Sequence, residues 1–143
     1  MIFLNKENNL KIIFIKVKFI LHFKNQFKKM NSSELNIFNS MPFLFWVKNE
    51  EGTYIWGNKV INDLAGENVV GRKDKDLVWA ANAESLRADD EKVWESGKPE
   101  FTHELVDHSG EGKATLNVCK FIGDFEGQRC VFGISFIIPG PVS

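Results

Sequence analysis

The chain has 143 residues, 43% hydrophobic and 26% charged, which is ordinary globular composition for one domain and argues against disorder or a cleft between two domains. The net charge of −1 hides a split, +6 over residues 1–30 and −7 over residues 31–143, so the folded part lacks the basic surface of a nucleic-acid binder. Two cysteines, Cys119 and Cys130, are too few for a disulfide framework and suit a reducing, cytoplasmic setting.

Residues 1–31 form a basic extension and residues 32–143 the domain. The extension lacks Gly, Pro, Ala, Ser and Thr through residue 30. Lys11, Lys16, Lys18 and Lys24 interrupt its apolar run, which argues against stable membrane insertion. Leu10, Ile13, Phe14, Val17, Ile20 and Leu21 follow the spacing of an amphipathic helix. Ile15 to Phe19 also alternates as a strand would. Met30 is a second plausible start, which leaves non-native upstream sequence as a further reading.

From Ser32 the punctuation becomes regular. Ser32-Ser33-Glu34 opens a short helix reaching Ser40, and Pro42 stops it. Phe43 to Lys48 and Thr53 to Trp56 are strands joined by the turn Asn49-Glu50-Glu51-Gly52, a hairpin. Asn58 caps a helix that ends at Gly66. A turn-rich stretch, Gly71 to Trp79, follows. Asn82 caps a longer helix with the apolar stripe Ala83, Leu86, Val93 and Trp94, and Asp89-Asp90-Glu91-Lys92 reads as its solvated face. Gly97 and Pro99 end it. Glu100 to His108, Lys113 to Ile122 and Gln128 to Ile138 are the last three strands. Strands at both ends of a helical block predict an α+β domain with a five-stranded antiparallel sheet.

Several segments, in this order, resemble the PAS domains of bacterial sensor histidine kinases. Met41-Pro42-Phe43-Leu44-Phe45-Trp46-Val47-Lys48-Asn49 with Gly52-Thr53-Tyr54 is similar to the family's opening, and Asn58 and Gly66 to its next fixed positions. Val70-Gly71-Arg72-Lys73-Asp74-Lys75-Asp76-Leu77-Val78-Trp79, Asp89 to Val93 with Ser96-Gly97-Lys98-Pro99, and Gly133-Ile134-Ser135-Phe136 complete the pattern across residues 38–138. The resemblance implies a PAS-like sheet with a helical block between its second and third strands. It also implies a sensory or regulatory module. Where the family's last strand ends in Asp-Ile-Thr, this chain has Ile137-Ile138-Pro139, and the sequence expectation is a module without an output domain of its own.

The resemblance also bears on cofactors. The chain has no cysteine before Cys119, which argues against flavin-cysteinyl photochemistry. Residues 82–97 contain no histidine, which argues against haem. His103 and His108, five apart on a strand, point to opposite faces and cannot share a metal there. No phosphate loop or nucleophile motif occurs, and no carboxylate lies in an apolar run, so no enzyme is expected.

By resemblance, the Ser135 side of the last strand faces a ligand cavity. The expected ligand-binding residues are Trp46, Trp56, Asn58, Trp79, Val131, Gly133 and Ser135; the ligand itself is not specified. The opposite side, Cys130, Phe132, Ile134 and Phe136, is then an apolar interface that an N-terminal helix or a partner subunit covers. The reading is a module that binds a small ligand and signals through a partner protein such as a histidine kinase, as a homodimer. The alternative is a ligand-free interaction module that dimerises through that outer face.

Overall fold

The computed structural model describes residues 10–18, 29–110 and 112–139. Ile20, Leu21, Lys24 and the last four residues lie outside that range, as does the His108 side chain. Residues 10–18 form a helix, α1, with its apolar side chains exposed. Strand β1 is Lys29–Met30. Helix α2, Ser32–Leu35, begins at Asn31, whose side chain accepts from Glu34 N–H while the Glu34 carboxylate accepts from Asn31 N–H. That reciprocal cap fixes the first helical residue at the expected Ser32. A 3-10 turn, Asn36–Ser40, carries the chain to Pro42.

The expected hairpin is β2, Leu44–Lys48, and β3, Tyr54–Gly57. Helix α3 is Lys59–Ala65 and helix α4 is Ala83–Ser96. Both end on a glycine in the left-handed region, Gly66 and Gly97, where a Cβ would be strained. Asn82 does not cap α4: its side chain makes no cap hydrogen bond, because the 3-10 turn Ala80–Asn82 runs straight into the helix. Strands β4, Glu100–His108, β5, Gly112–Phe125, and β6, Gln128–Ile138, form the terminal meander.

The five strands β2 to β6 pair antiparallel, as the resemblance implies, with β6 between β5 and β2. The chain adds β1, which runs parallel to β5 at Lys29↔Asp124 and Met30↔Phe125. Helices α3 and α4 cover one sheet face, here called inner. Its core is Leu44, Trp46, Tyr54, Ile61, Leu64, Val69, Leu77, Trp79, Leu86, Val106, Leu116 and Val118. The outer face carries a second core of Leu35, Phe45, Val47, Trp56, Phe125, Cys130 and Phe132, with Met30 and Phe38 packed against it.

This corrects the outer-face expectation in part. Cys130 and Phe132 are fully buried beneath the chain's own α2 and 3-10 turn, so they are not free to meet another molecule. Ile134 is half-buried in the same cluster, and Phe136 stays 52% exposed. Leu35 and Phe38 reach only one half of the sheet, because α2 lies beside β1 and the end of β5.

Candidate functional site

The inner face buries a network of charges. On β2 the side chains alternate, with Leu44, Trp46 and Lys48 inward and Phe45 and Val47 outward. On β5, Ala114, Leu116, Val118 and Lys120 share the inner side, all buried. Period-two geometry therefore carries two lysines into the interior with their apolar neighbours. On α4, Leu86, Asp90 and Val93 are the buried residues, at the four- and three-residue spacing of one helix side.

Asp90 takes both lysines. Lys48 Nζ lies 3.0 Å from Asp90 Oδ2 and Lys120 Nζ 3.0 Å from Asp90 Oδ1. Lys48 also donates to Asp74 at 2.6 Å, and Lys120 pairs with Glu104 at 3.2 Å. Asp74 Oδ1 accepts from the Tyr54 hydroxyl at 2.8 Å and from the Trp79 indole at 3.0 Å. The Lys48 ammonium sits 4.6 Å from the centre of the Tyr54 ring. Two ammonium groups thus face three carboxylates, of which Glu104 retains the most contact with water.

Burial pushes the Asp90 carboxyl upward, but the Lys48 and Lys120 charges and their hydrogen bonds outweigh it and hold it below the usual carboxylate range. For Lys120, burial lowers the pKa, yet Asp90 and Glu104 raise it further, leaving it above the ordinary lysine value. The Tyr54 hydroxyl is pushed well up, first by burial and then by the Asp74 carboxylate it donates to. All three shifts favour the paired state.

Between this network and the aromatic core lies a cavity of about 20 Å3. Trp46, Trp79, Tyr54, Lys48, Lys120 and Glu104 are among its walls. The Trp46 indole lies flat over Gly133: a Cβ there would come within 2.1 Å of the ring. Glycine is required at that point because the indole occupies the side-chain space. Among the described residues, the buried Trp46 indole nitrogen has no hydrogen-bond partner, and neither has the buried Ser135 hydroxyl. Among the described residues, no group of three or more His, Cys, Asp or Glu side chains is arranged to hold a metal ion.

The PAS fold sequence pattern matches residues 38–134. The chain belongs to the PAS fold family. PAS domains are sensory modules of signalling proteins, generally not catalytic. Among solved structures, the fold is similar to the VqmA dimer of Vibrio cholerae in the absence of its target DNA, at TM-score 0.65 and 15% identity over 75% of this chain. This chain spans 51% of that one. VqmA bound to DPO matches at TM-score 0.64 and 15% identity, over 74% of this chain and 57% of that one. The PAS domain of an HTR-like protein from Haloarcula marismortui matches at TM-score 0.59 and 21% identity, over 75% of this chain and 96% of that one. That of nitrogen regulation protein NR(II) from Vibrio parahaemolyticus matches at 0.56 and 13%, over 71% and 94%. A comparison with curated proteins finds no match.

Of the ligand residues expected from the sequence, Trp46 and Trp79 line the PAS cavity. Trp56 does not. The register of β3 shifts beside Val47 and Lys48, so that Tyr54 opposes Lys48 on the inner side while Trp56 opposes Val47 on the outer side. That bulge breaks the alternation that would have put both rings inward. Asn58 is occupied structurally. Its Oδ1 accepts from Phe45 and Ile61 N–H, and its Nδ2 donates to the Phe38 and Phe43 carbonyls. Val131 and Ser135 are buried on the inner side of β6, on the same side as Gly133 but outside the cavity walls. Asp90 was expected on a solvated face and is instead the hub of the buried network. Lys48, Tyr54 and Asp74 stand in the segments that carry the family resemblance, but neither they nor Glu104 and Lys120 are expected site residues in the sequence reading. The signal for Asp90 was its spacing from Leu86 and Val93.

Proposed function

We propose that the chain is a cytoplasmic sensory PAS module that takes a small polar ligand in the cavity under Trp46 and signals through a partner protein such as a histidine kinase. The observation that carries this reading is Trp46, which lines the cavity and whose buried indole N–H has no acceptor among the described residues. An unpaired buried donor costs about 1–3 kcal/mol, and a ligand carbonyl, hydroxyl or ring nitrogen recovers it. Lys120 and Glu104, paired at 3.2 Å, supply a donor and an acceptor among the same walls. DPO bound to VqmA gives a fold-level parallel. The cavity holds about one water-sized body as it stands, so any larger ligand enters by displacing the Trp46 or Trp79 ring.

The second reading, a ligand-free interaction module, draws support from the same volume, which is far below the roughly 300–1,000 Å3 of ordinary ligand pockets. Native mass spectrometry of the full chain as isolated separates the two. The first reading expects a co-purified small molecule that is lost on Trp46→Phe. An empty chain in every preparation, dimeric and indifferent to metabolite mixtures, gives the second.

A further inference from the structure

Besides the inner cavity, the described residues form a larger hollow. A cleft of about 670 Å3 lies between Glu51 and Gly52 in the β2–β3 turn, the 3-10 turn Asp74–Asp76 and the first half of α4. That volume falls within the roughly 300–1,000 Å3 of ordinary ligand pockets. The short side chains of Ala80, Ala83 and Ala88 leave the space open. Arg87 bridges α4 to the turn: its Nε pairs with Glu91 at 3.1 Å and its guanidinium donates to the Glu50 carbonyl at 2.8 Å. It passes over Gly52, where a Cβ would stand 3.1 Å from it. Four other charged side chains stand around the cleft: Lys73, Lys75, Glu51 and Glu84. Arg87 is matched by Glu91 and Asp74 by Lys48, but among the described residues none of these four makes an ion pair. The charges left over are two ammonium and two carboxylate groups. A simple anion or a simple cation would meet like charge on one side; a molecule with one charge of each sign meets none.

Asp74 links this cleft to the interior. It is one of the cleft's walls and is itself only 5% exposed. It holds the Lys48 ammonium, the Tyr54 hydroxyl and the Trp79 indole, and all three of those side chains line the inner cavity. We propose that the cleft is a second ligand site, which takes a small zwitterion bearing the ammonium and carboxylate of an amino acid or short peptide. The ligand carboxylate meets Lys73 and Lys75, and the ligand ammonium meets Glu51 and Glu84. The site stands apart from the inner cavity and does not require that cavity to bind anything. A charged ligand beside Asp74 changes the field at a carboxylate that anchors three walls of the inner cavity, so occupancy of the cleft reaches Trp79 without a ligand entering the core.

The test is an NMR titration of the isotope-labelled full chain with the common amino acids, added singly, and with alanyl-alanine. At least one probe should shift the backbone amides of residues 73–75 and 83–88 together with the Trp79 indole N–H, while the indole of Trp56 on the outer face stays still. Lys75→Gln and Glu84→Gln change exposed side chains, so both variants should fold, and each should weaken binding severalfold. N-acetylalanine and alaninamide, each lacking one of the two charges, should bind more weakly than alanine. Tighter binding of alanyl-alanine than of alanine assigns the site to peptides, and the reverse assigns it to free amino acids. No shift at those amides with any probe at millimolar concentration would overturn the proposal, as would shifts that both variants leave intact or a Trp79 indole that does not move. Contacts from the chain's own N-terminal extension into the cleft would overturn it too, by making that extension the occupant. Binding that is lost on Trp46→Phe, with the amides of residues 73–75 unmoved, would place the probe in the inner cavity; that result refutes the cleft and leaves the inner site standing.

Discussion

On its inner face the sheet buries Lys48 and Lys120 against Asp74, Asp90 and Glu104, whereas directly behind them, on the outer face, Phe45, Phe132, Cys130 and Trp56 bury with no charge among them. Both faces belong to the same strands, and the alternation of side chains is all that separates them. The outer core is directionless: Phe132 stacks on Phe121 at 5.5 Å and meets Phe45 edge-on at 6.2 Å, and a ring of similar volume would do nearly as well. The inner network is directional, and each charge has meaning only through its partners. A buried ion cluster adds little net stability over an apolar one but is costly to leave incomplete. The face built from replaceable parts supports the fold. The face built from matched charges is the one that can register a change in its contents.

The largest effect expected is on the outer face. Phe132→Glu removes a ring with no exposed surface and leaves an unpaired carboxylate in its place. Loss of the ring alone costs about 3–5 kcal/mol, and the buried charge adds to that. Against a whole-domain stability of about 5–15 kcal/mol, the variant should lose its cooperative thermal transition by circular dichroism. A wild-type melt from Phe132→Glu would return this residue to the solvent side.

The contrast is sharpened by Asp90→Ala, which should cost about 3–5 kcal/mol by leaving Lys48 and Lys120 short of a partner. The pH profile distinguishes this from ordinary cavity formation. Because Asp90 is held below its ordinary 3.8, its contribution is present above that value and is lost as pH falls through the lower folded pKa. Lys120 and Tyr54 are held above 10.5 and 10.0, so their contributions are present below those values and are lost as pH rises through the folded ones. Wild-type stability should therefore be flat between about pH 5 and 9 and fall on both sides. In Asp90→Ala the acid limb should flatten and the alkaline loss begin earlier, since Lys120 loses one of its two carboxylates. Urea melts across pH check this; an unchanged profile would remove Asp90 from the hub.

Much of this architecture is legible in the residues. Asn58 and Gly66 bracket α3, Gly97 and Pro99 end α4, and alternation along β6 sorts Phe132 from Ser135. The charged network is not, because a lysine in a strand or an aspartate in a helix is ordinarily solvated. Only partners brought in from 26 to 42 residues away make Lys48 an interior group. Asp90 was half-visible, since it shares a helix side with Leu86 and Val93. Trp56 was misleading for a local reason: a bulge moves it to the other face, and nothing in Tyr54-Ile55-Trp56 announces a bulge.

The smallest effect tests the inner face at its least matched point. Ser135 is fully buried and its hydroxyl has no partner among the described residues. It pairs across the sheet with Leu44 and Val118, two residues along β6 from the glycine beneath the Trp46 indole. Without a partner, a buried hydroxyl is a desolvated group with nothing returned for it. Ser135→Ala should then be neutral or stabilise the domain by up to about 1 kcal/mol. If a water or a ligand oxygen satisfies the hydroxyl in solution, the same change strands that partner and destabilises by about 1–3 kcal/mol. Thermal melts of Ser135→Ala, before and after exhaustive removal of small molecules, therefore read whether the inner face is complete by itself. A loss that vanishes after the removal means that a bound molecule, rather than the protein alone, completes the polar side of the sheet.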